Sequence, residues 1–140
     1  MGKQLQAYLY EHIPITKAMG VQVEHASLDK VVLWAPLREN INHKSTVFGG
    51  SLHAALTLAC WCMVYMHVRH MHVHHLHPQI VITKSEASYR VPVDGDFRAK
   101  CDAPPMHEWQ KFQNMLQTKG KGRIPLTATI VHNSQVAVEY

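Results

Sequence analysis

The run Phe48–Met66, FGGSLHAALTLACWCMVYM, constrains the fold more than any other part of the chain. It is dense in Ala and Leu, which favour helix, and it has no Gly or Pro after Gly50, so it predicts about five helical turns. Apolar residues fall on nearly every side of that helix. Such a helix is buried rather than laid on a surface, and in a chain of 140 residues the remaining segments must wrap around it. His53 and Thr57 interrupt the apolar run and His67 ends it, short of the ~18 residues expected of a membrane span. The N-terminal MGKQLQAYLYEHIP has no apolar block of secretory length. These features lead us to expect a soluble, cytoplasmic protein with no membrane partner, built as one domain over residues 1–140.

The flanking segments supply the wrapper. Lys3–His12 reads as an amphipathic helix with Leu5, Tyr8 and Leu9 on one face and Pro14 beyond its end. Strands are expected at 19–27 and 30–38, separated by the polar break Ser27, Asp29 and Lys30. After the polar loop RENINHKSTV and the central helix, expected from Gly50 to about Met66, a long strand pattern runs from Gln79 to Val91. Another follows at Asp96–Cys101, beyond the turn signal Val-Asp-Gly-Asp. Trp109, Phe112 and Leu116 recur at helical spacing within Pro105–Gln117, a second short helix or an ordered lid. Strands at Ile124–His132 and Gln135–Tyr140 flank the turn at Asn133-Ser134, and the strand pattern still open at Tyr140 leaves room for further residues. The order of elements predicts an α+β fold, a curved antiparallel sheet around a long central helix.

Composition narrows the function classes. A hydrophobic fraction of 46% with 17% charged residues is globular. The net charge of +4 points weakly to an acidic or phosphate-bearing partner. Only Lys119, Lys121 and Arg123 cluster, which suits a few phosphates better than a duplex, and nucleic-acid binding is not expected; as a bland alternative the cluster is a flexible basic turn. Cys60, Cys62 and Cys101 read as buried free thiols, since Cys60 and Cys62 point to different faces of the helix and chelate poorly. HVRHMHVHHLH, from His67 to His77, holds six histidines. Its spacing brings neither a carboxylate nor a Cys-x-x-Cys, so it reads as a solvated connection after the helix rather than a metal site.

The chemistry is expected at the helix start. Gly49 and Gly50 let a ligand approach the backbone, and they open a helix whose first amides lack intrahelical partners. Those donors, at the positive helix end, can hold a thioester oxygen as negative charge develops on it. Asn42 can offer a side-chain N–H from the loop alongside. The bland alternative is a tight turn with close helix–sheet packing at the glycines and a turn residue at Asn42. Asn42-x-x-x-x-x-Phe48-Gly49-Gly50 resembles the Asn…His-Gly-Gly motif of hotdog-fold thioesterases of the phenylacetyl-CoA type, with Phe48 where the histidine usually sits. The wider pattern Asn40-x-Asn42-His43-x-x-Thr46-x-Phe48-Gly49-Gly50-Ser51 is most similar to the thioesterase-like hotdog domain found alone or fused to GNAT acetyltransferase domains. That family includes proteins assigned as malonyl-ACP decarboxylases in fatty-acid initiation.

One departure separates two activities. Thioesterases with the His-Gly-Gly motif usually carry a carboxylate nine residues after the histidine, where this chain has Thr57. No Asp or Glu occurs between Asn40 and Thr83. Hydrolysis by this route needs a carboxylate to attack the carbonyl or activate water. Decarboxylation of a malonyl thioester needs enolate-stabilising donors and a pocket that desolvates the departing carboxylate.

The resemblance therefore implies decarboxylation of malonyl-ACP or malonyl-CoA. Asn42 and the Gly49 or Gly50 amide would polarise the carbonyl, with Ser51 and Thr46 shaping the carboxylate pocket. Phe48, His53 and Thr57 would contact substrate, and Lys121 and Arg123 a CoA phosphate or the acyl carrier protein. The bland readings are that Thr57 bonds back to its own backbone and that His53 packs. The alternatives are a thioesterase with a carboxylate such as Glu86 or Glu108 from elsewhere, and a non-catalytic acyl-thioester binding module. The resemblance also implies a homodimer or dimer of dimers with sites at the junction. No metal or other cofactor is implied beyond the CoA or phosphopantetheine that the substrate carries.

Overall fold

The computed structural model describes the backbone of residues 1–140 and every side chain except that of His74. Its elements are α1 (Gly2–His12), α2 (Ile15–Ala18), β1 (Gln22–Ala26), β2 (Lys30–Ala35), α3 (Gly49–His70), β3 (Ser88–Tyr89), β4 (Phe97–Asp102), α4 (Met106–Lys119), β5 (Thr129–His132) and β6 (Gln135–Glu139). The strands form one sheet in the order β1-β2-β4-β5-β6-β3, every neighbouring pair antiparallel. Strand side chains alternate between faces, and the sequence uses this to load one face. Val31, Leu33 and Ala35 of β2 lie opposite Cys101, Ala99 and Phe97 of β4, and all six are buried. Helix α3 lies across β2, β4 and β5 on that face. The sheet wrapped on a central helix, expected from the order of elements, is present.

α3 opens at Gly49 and continues past Met66 to His70. By length and composition it could cross a membrane, but 67% of its most apolar window is buried, as its place in the core requires. Leu56, Ala59, Cys62 and Met63 are fully enclosed, and each large side chain so buried contributes about 1.5–3 kcal/mol. A half-buried stripe remains, with His53, Thr57, Trp61 and Tyr65 at successive turns. Helix α1 covers its far end, Tyr8 packing on Tyr65 with ring centroids 4.9 Å apart. Cys60, Cys62 and Cys101 are buried free thiols, as expected. The Cys101 thiol beside it, together with burial, holds Cys60 above the usual thiol range, and burial raises Cys62. Neither Cys60 nor Cys62 is thereby suited to act as a nucleophile.

The histidine run is only partly a solvated connection. His67 lies inside α3 and is buried. Its Nε2 is 2.7 Å from the Leu28 carbonyl oxygen, and its ring stacks on Trp109 of α4 with centroids 3.7 Å apart. The helix therefore absorbs this residue with a satisfied nitrogen, a circumstance the sequence does not display. Because α3 ends at His70, capped by Met71, no helical pairing of His70 with residue 74 arises. His70, His72, His75 and His77 are exposed.

Burial, against a smaller opposing effect of the Leu28 carbonyl, holds His67 below the usual histidine range. A histidine whose folded pKa lies below its unfolded value makes the unfolded state bind more protons. Stability is then fully present above about pH 6.5, the unfolded value, and falls as pH drops towards the folded one. Thermal melts at pH 7.5 and 5.5 should show a lower Tm at the acidic pH, with a smaller difference in His67→Gln. An equal pH difference in both proteins would remove His67 as the cause.

The long strand expected at Gln79–Val91 is reduced to Ser88–Tyr89. β3 is one of the two edge strands, pairing with β6, and Arg90 N–H continues the contact to the Ala137 carbonyl at 2.7 Å. Residues 79–87 have no neighbouring strand in the chain, so their strand-like apolar run finds no ladder, and Val81 and Ile82 are 74% and 51% exposed. Of the other expected strands, β1, β2 and β6 are trimmed at their ends, β5 begins only at Thr129, and β4 runs on to Asp102. Residues 19–21 turn at Gly20 (φ 72°), and Pro36 stops β2. Helix α4 forms as expected, burying Trp109, Phe112 and Leu116.

Candidate functional site

The loop before α3 is held by two asparagines with different tasks. Asn40 is buried and its Nδ2 donates to the carbonyls of Met19 and Pro36 at 2.8 and 2.7 Å. Its own carbonyl accepts the Phe48 N–H at 2.7 Å. This fixes the residue that enters α3. Asn42 closes the loop on itself: its Oδ1 accepts the Lys44 and Thr46 N–H groups at 2.8 and 3.2 Å. Its Nδ2 donates to Thr46 Oγ1 at 2.9 Å and reaches the Val47 carbonyl at 3.4 Å. Side-chain closure of this kind is the ordinary turn use of asparagine, so the turn reading of Asn42 holds. The donor proposed for a thioester oxygen is here spent on the Thr46 hydroxyl.

At the helix start, Phe48 caps α3, its carbonyl accepting the Ser51 and Leu52 N–H groups. The Gly49 and Gly50 N–H groups have no partner among the described residues. They are the orphan donors that every helix start leaves. The two glycines are there for different reasons. A Cβ on Gly50 would lie 2.3 Å from Cε2 of the Phe48 ring, which folds back over this residue. A Cβ on Gly49 would meet only the Tyr89 ring, at 3.9 Å, an ordinary contact. Packing against the Phe48 ring bears on Gly50 and not on Gly49. Gly49 lines a cleft of about 330 Å³, with Val47 and Leu52 on one side and Tyr89, Arg90 and Pro92 among the residues opposite. Val47 N–H donates to the Val93 carbonyl at 2.8 Å and so ties the two walls together.

Farther along α3, Thr57 Oγ1 donates to the Tyr140 hydroxyl at 2.8 Å. Thr57 therefore bonds across to β6's end rather than back to its own helix. His53 sets its ring edge-on to Tyr140, centroids 5.2 Å apart, and its Nε2 is 3.3 Å from Ser85 Oγ. These side chains form a polar edge on the half-buried stripe of α3. Ser51 is half-buried at the helix start, and no side-chain bond fixes its hydroxyl among the described residues.

The expected site residues thus fall into three adjoining groups: Asn42 with Thr46 in the loop, Phe48 to Ser51 at the helix start, and His53 with Thr57 beyond. Lys121 and Arg123 are exposed and make no hydrogen bond or ion pair with any of them among the described residues. Gly120 caps α4 in the left-handed region (φ 74°), and a Cβ on Gly122 would lie 2.9 Å from Phe112 Cδ2. The glycines of the basic loop are therefore structural. Glu86 is 81% exposed and paired with Lys84, while Glu108 lies on α4 beside His107. Tyr89, Arg90, Ser85 and Tyr140 were not singled out from sequence. They reach the site from the edge strand, its preceding loop and the end of β6, with no local motif to mark them.

The fold is shared with known proteins. The family described as "Putative thioesterase (yiiD_Cterm)" matches residues 2–140. A crystal structure of a protein of unknown function from Chlorobaculum tepidum is 35% identical with a TM-score of 0.91, covering 99% of this chain and 88% of that one. Two more distant structures share the fold. One is a putative thioesterase from Shewanella oneidensis, at 20% identity and TM-score 0.82, covering 99% of this chain and 91% of that one. The other is thioesterase HI1161 from Haemophilus influenzae, at 10% identity and TM-score 0.70, covering 99% and 85%. With its hotdog architecture of an antiparallel sheet on one central helix, and with the family match running over nearly its whole length, the chain belongs to the yiiD C-terminal putative thioesterase family.

Proposed function

We propose that the chain decarboxylates a malonyl thioester, carried on acyl carrier protein or CoA, to the acetyl thioester. The observation that carries this reading is at Thr57: the residue in the usual carboxylate position is a neutral hydroxyl engaged with Tyr140. The helix start supplies the donors that decarboxylation needs. The thioester oxygen takes the unpartnered Gly49 or Gly50 N–H, and the Asn42 amide joins by leaving the Thr46 hydroxyl. The bond from C2 to the carboxylate breaks, its electron pair delocalises onto the thioester oxygen as an enolate, and carbon dioxide leaves. C2 then takes a proton from solvent. Donors fixed before the charge forms stabilise it more than water that must reorganise. A carboxylate facing the departing group would oppose its approach.

The glycine at position 49 supports the same reading, because the fold has room for a side chain there and a methyl group would project into the cleft. Gly49→Ala should fold normally, with alanine favoured over glycine in a helix by about 1 kcal/mol, yet lose most of its activity because the methyl group occupies the cleft. A fully active Gly49→Ala would return this residue to the role of a turn glycine.

Hydrolysis is the second reading. Glu139 favours it, a carboxylate paired with the cleft-lining Arg90 at 2.8 Å. Incubation with malonyl-CoA separates the two: carbon dioxide without free thiol supports decarboxylation, and free thiol with malonate supports hydrolysis. Binding with neither product would leave an acyl-thioester binding module. We further propose that two chains associate through the β3 edge. There the apolar Val81 and Ile82 are exposed and the unpaired segment 79–87 would gain a ladder from a second copy.

A further inference from the structure

Resting on the thioester reading above, we propose that Arg90 is the residue of this cleft that recognises the substrate's anionic oxygens, either the malonyl carboxylate or a phosphate of the CoA arm. Among the residues lining the cleft it is the cation, and the same cleft is lined by Gly49. Its backbone is fixed just beyond β3, the N–H donating to the Ala137 carbonyl at 2.7 Å. The guanidinium is thereby carried on the sheet edge rather than on a free loop. Arg90 Nη2 donates to Glu139 Oε2 at 2.8 Å, with the two side chains 56% and 49% exposed. An ion pair so open to water is weak, and exchanging one anionic partner for another costs little. The planar fork of a guanidinium matches both carboxylate and phosphate oxygens. A malonyl thioester of CoA brings both kinds of anion to a cleft where the thioester itself is held at Gly49.

Glu139 then acts as an internal competitor. It occupies Arg90 in the free protein and yields it when an anionic ligand arrives. This gives a prediction of opposite signs for two variants that break the same ion pair. Arg90→Gln should weaken the ligand about tenfold, the order expected for losing a charge-assisted hydrogen bond. Glu139→Gln should strengthen it about two- to threefold by releasing Arg90. A purely structural clamp between β3 and β6 would move both variants in the same direction.

The experiment is calorimetric binding to the full chain, using slowly reacting amide analogues of malonyl-CoA, acetyl-CoA and malonyl-N-acetylcysteamine. If Arg90 holds the carboxylate, Arg90→Gln weakens both malonyl compounds and spares the acetyl one. If it holds phosphate, the loss follows both CoA compounds and spares malonyl-N-acetylcysteamine. Equal affinities in wild type and Arg90→Gln, parallel shifts in both variants, or no wild-type affinity for any probe would overturn the assignment. Because affinity is the readout, wild-type binding without decarboxylation of malonyl-CoA itself would count against the proposed reaction alone.

Discussion

Asn42→Ala is expected to lower malonyl-thioester decarboxylation by about 10²–10³-fold, the usual cost of removing one donor from a site where negative charge develops. The variant alone does not isolate the donor, because Oδ1 of Asn42 also accepts the Lys44 and Thr46 N–H groups that close the loop. Asn42→Asp separates the two roles. A carboxylate keeps both acceptor bonds, so the loop and the Phe48 entry to α3 should stay in place. It has no N–H to give the thioester oxygen, and it adds a negative charge where charge must accumulate. Asn42→Asp should therefore be at least as inactive as Asn42→Ala while melting closer to wild type. If Asn42→Asp retained near-normal turnover, the side chain would be a loop closure only, and the Gly49 and Gly50 amides would carry the oxygen without it.

Thr57→Asp should reduce decarboxylation by about 10- to 100-fold. Two unit charges about 4 Å apart repel by about 1–4 kcal/mol between bulk water and a protein surface, and each ~1.4 kcal/mol is a factor of ten in rate. The substitution is structurally mild, since the new carboxylate can accept the Tyr140 O–H in place of the bond it replaces. It also installs the group that hydrolysis by this route requires. The loss of acetyl product should therefore be accompanied by free thiol. Thr57→Val, which removes the hydroxyl without adding charge, should lose far less. Were Thr57→Asp to decarboxylate as wild type does, the departing carboxylate would have to leave from some other face of the helix.

The fold was legible wherever a local pattern settles the outcome. Helix α3 showed in its composition, α4 in the spacing of Trp109, Phe112 and Leu116, β2 in its apolar run and β4 in strict alternation. What stayed hidden depends on partners distant in sequence. His67 inside a histidine run looks solvated until the Leu28 carbonyl and Trp109 are seen on either side of it. Residues 79–87 open on a strand-like apolar run but have no neighbour to pair with in one chain. At the site, the spacing from Asn42 to Gly49 was visible, and so was the missing carboxylate at Thr57. The different reasons for Gly49 and Gly50 were not, since they depend on where the Phe48 ring folds. Arg90 and Tyr140 carried no signal because β3 and the end of β6 meet α3 only through the sheet order.

The central claim is that the start of α3 offers donors without a carboxylate and so removes carbon dioxide rather than cleaving the thioester. Intact-mass spectrometry of malonyl-acyl carrier protein during incubation with the wild-type chain tests it directly. Acetyl-acyl carrier protein should accumulate as the malonyl form disappears, with no gain in the free-thiol carrier. Accumulation of the free-thiol carrier, without an acetyl intermediate, would contradict it.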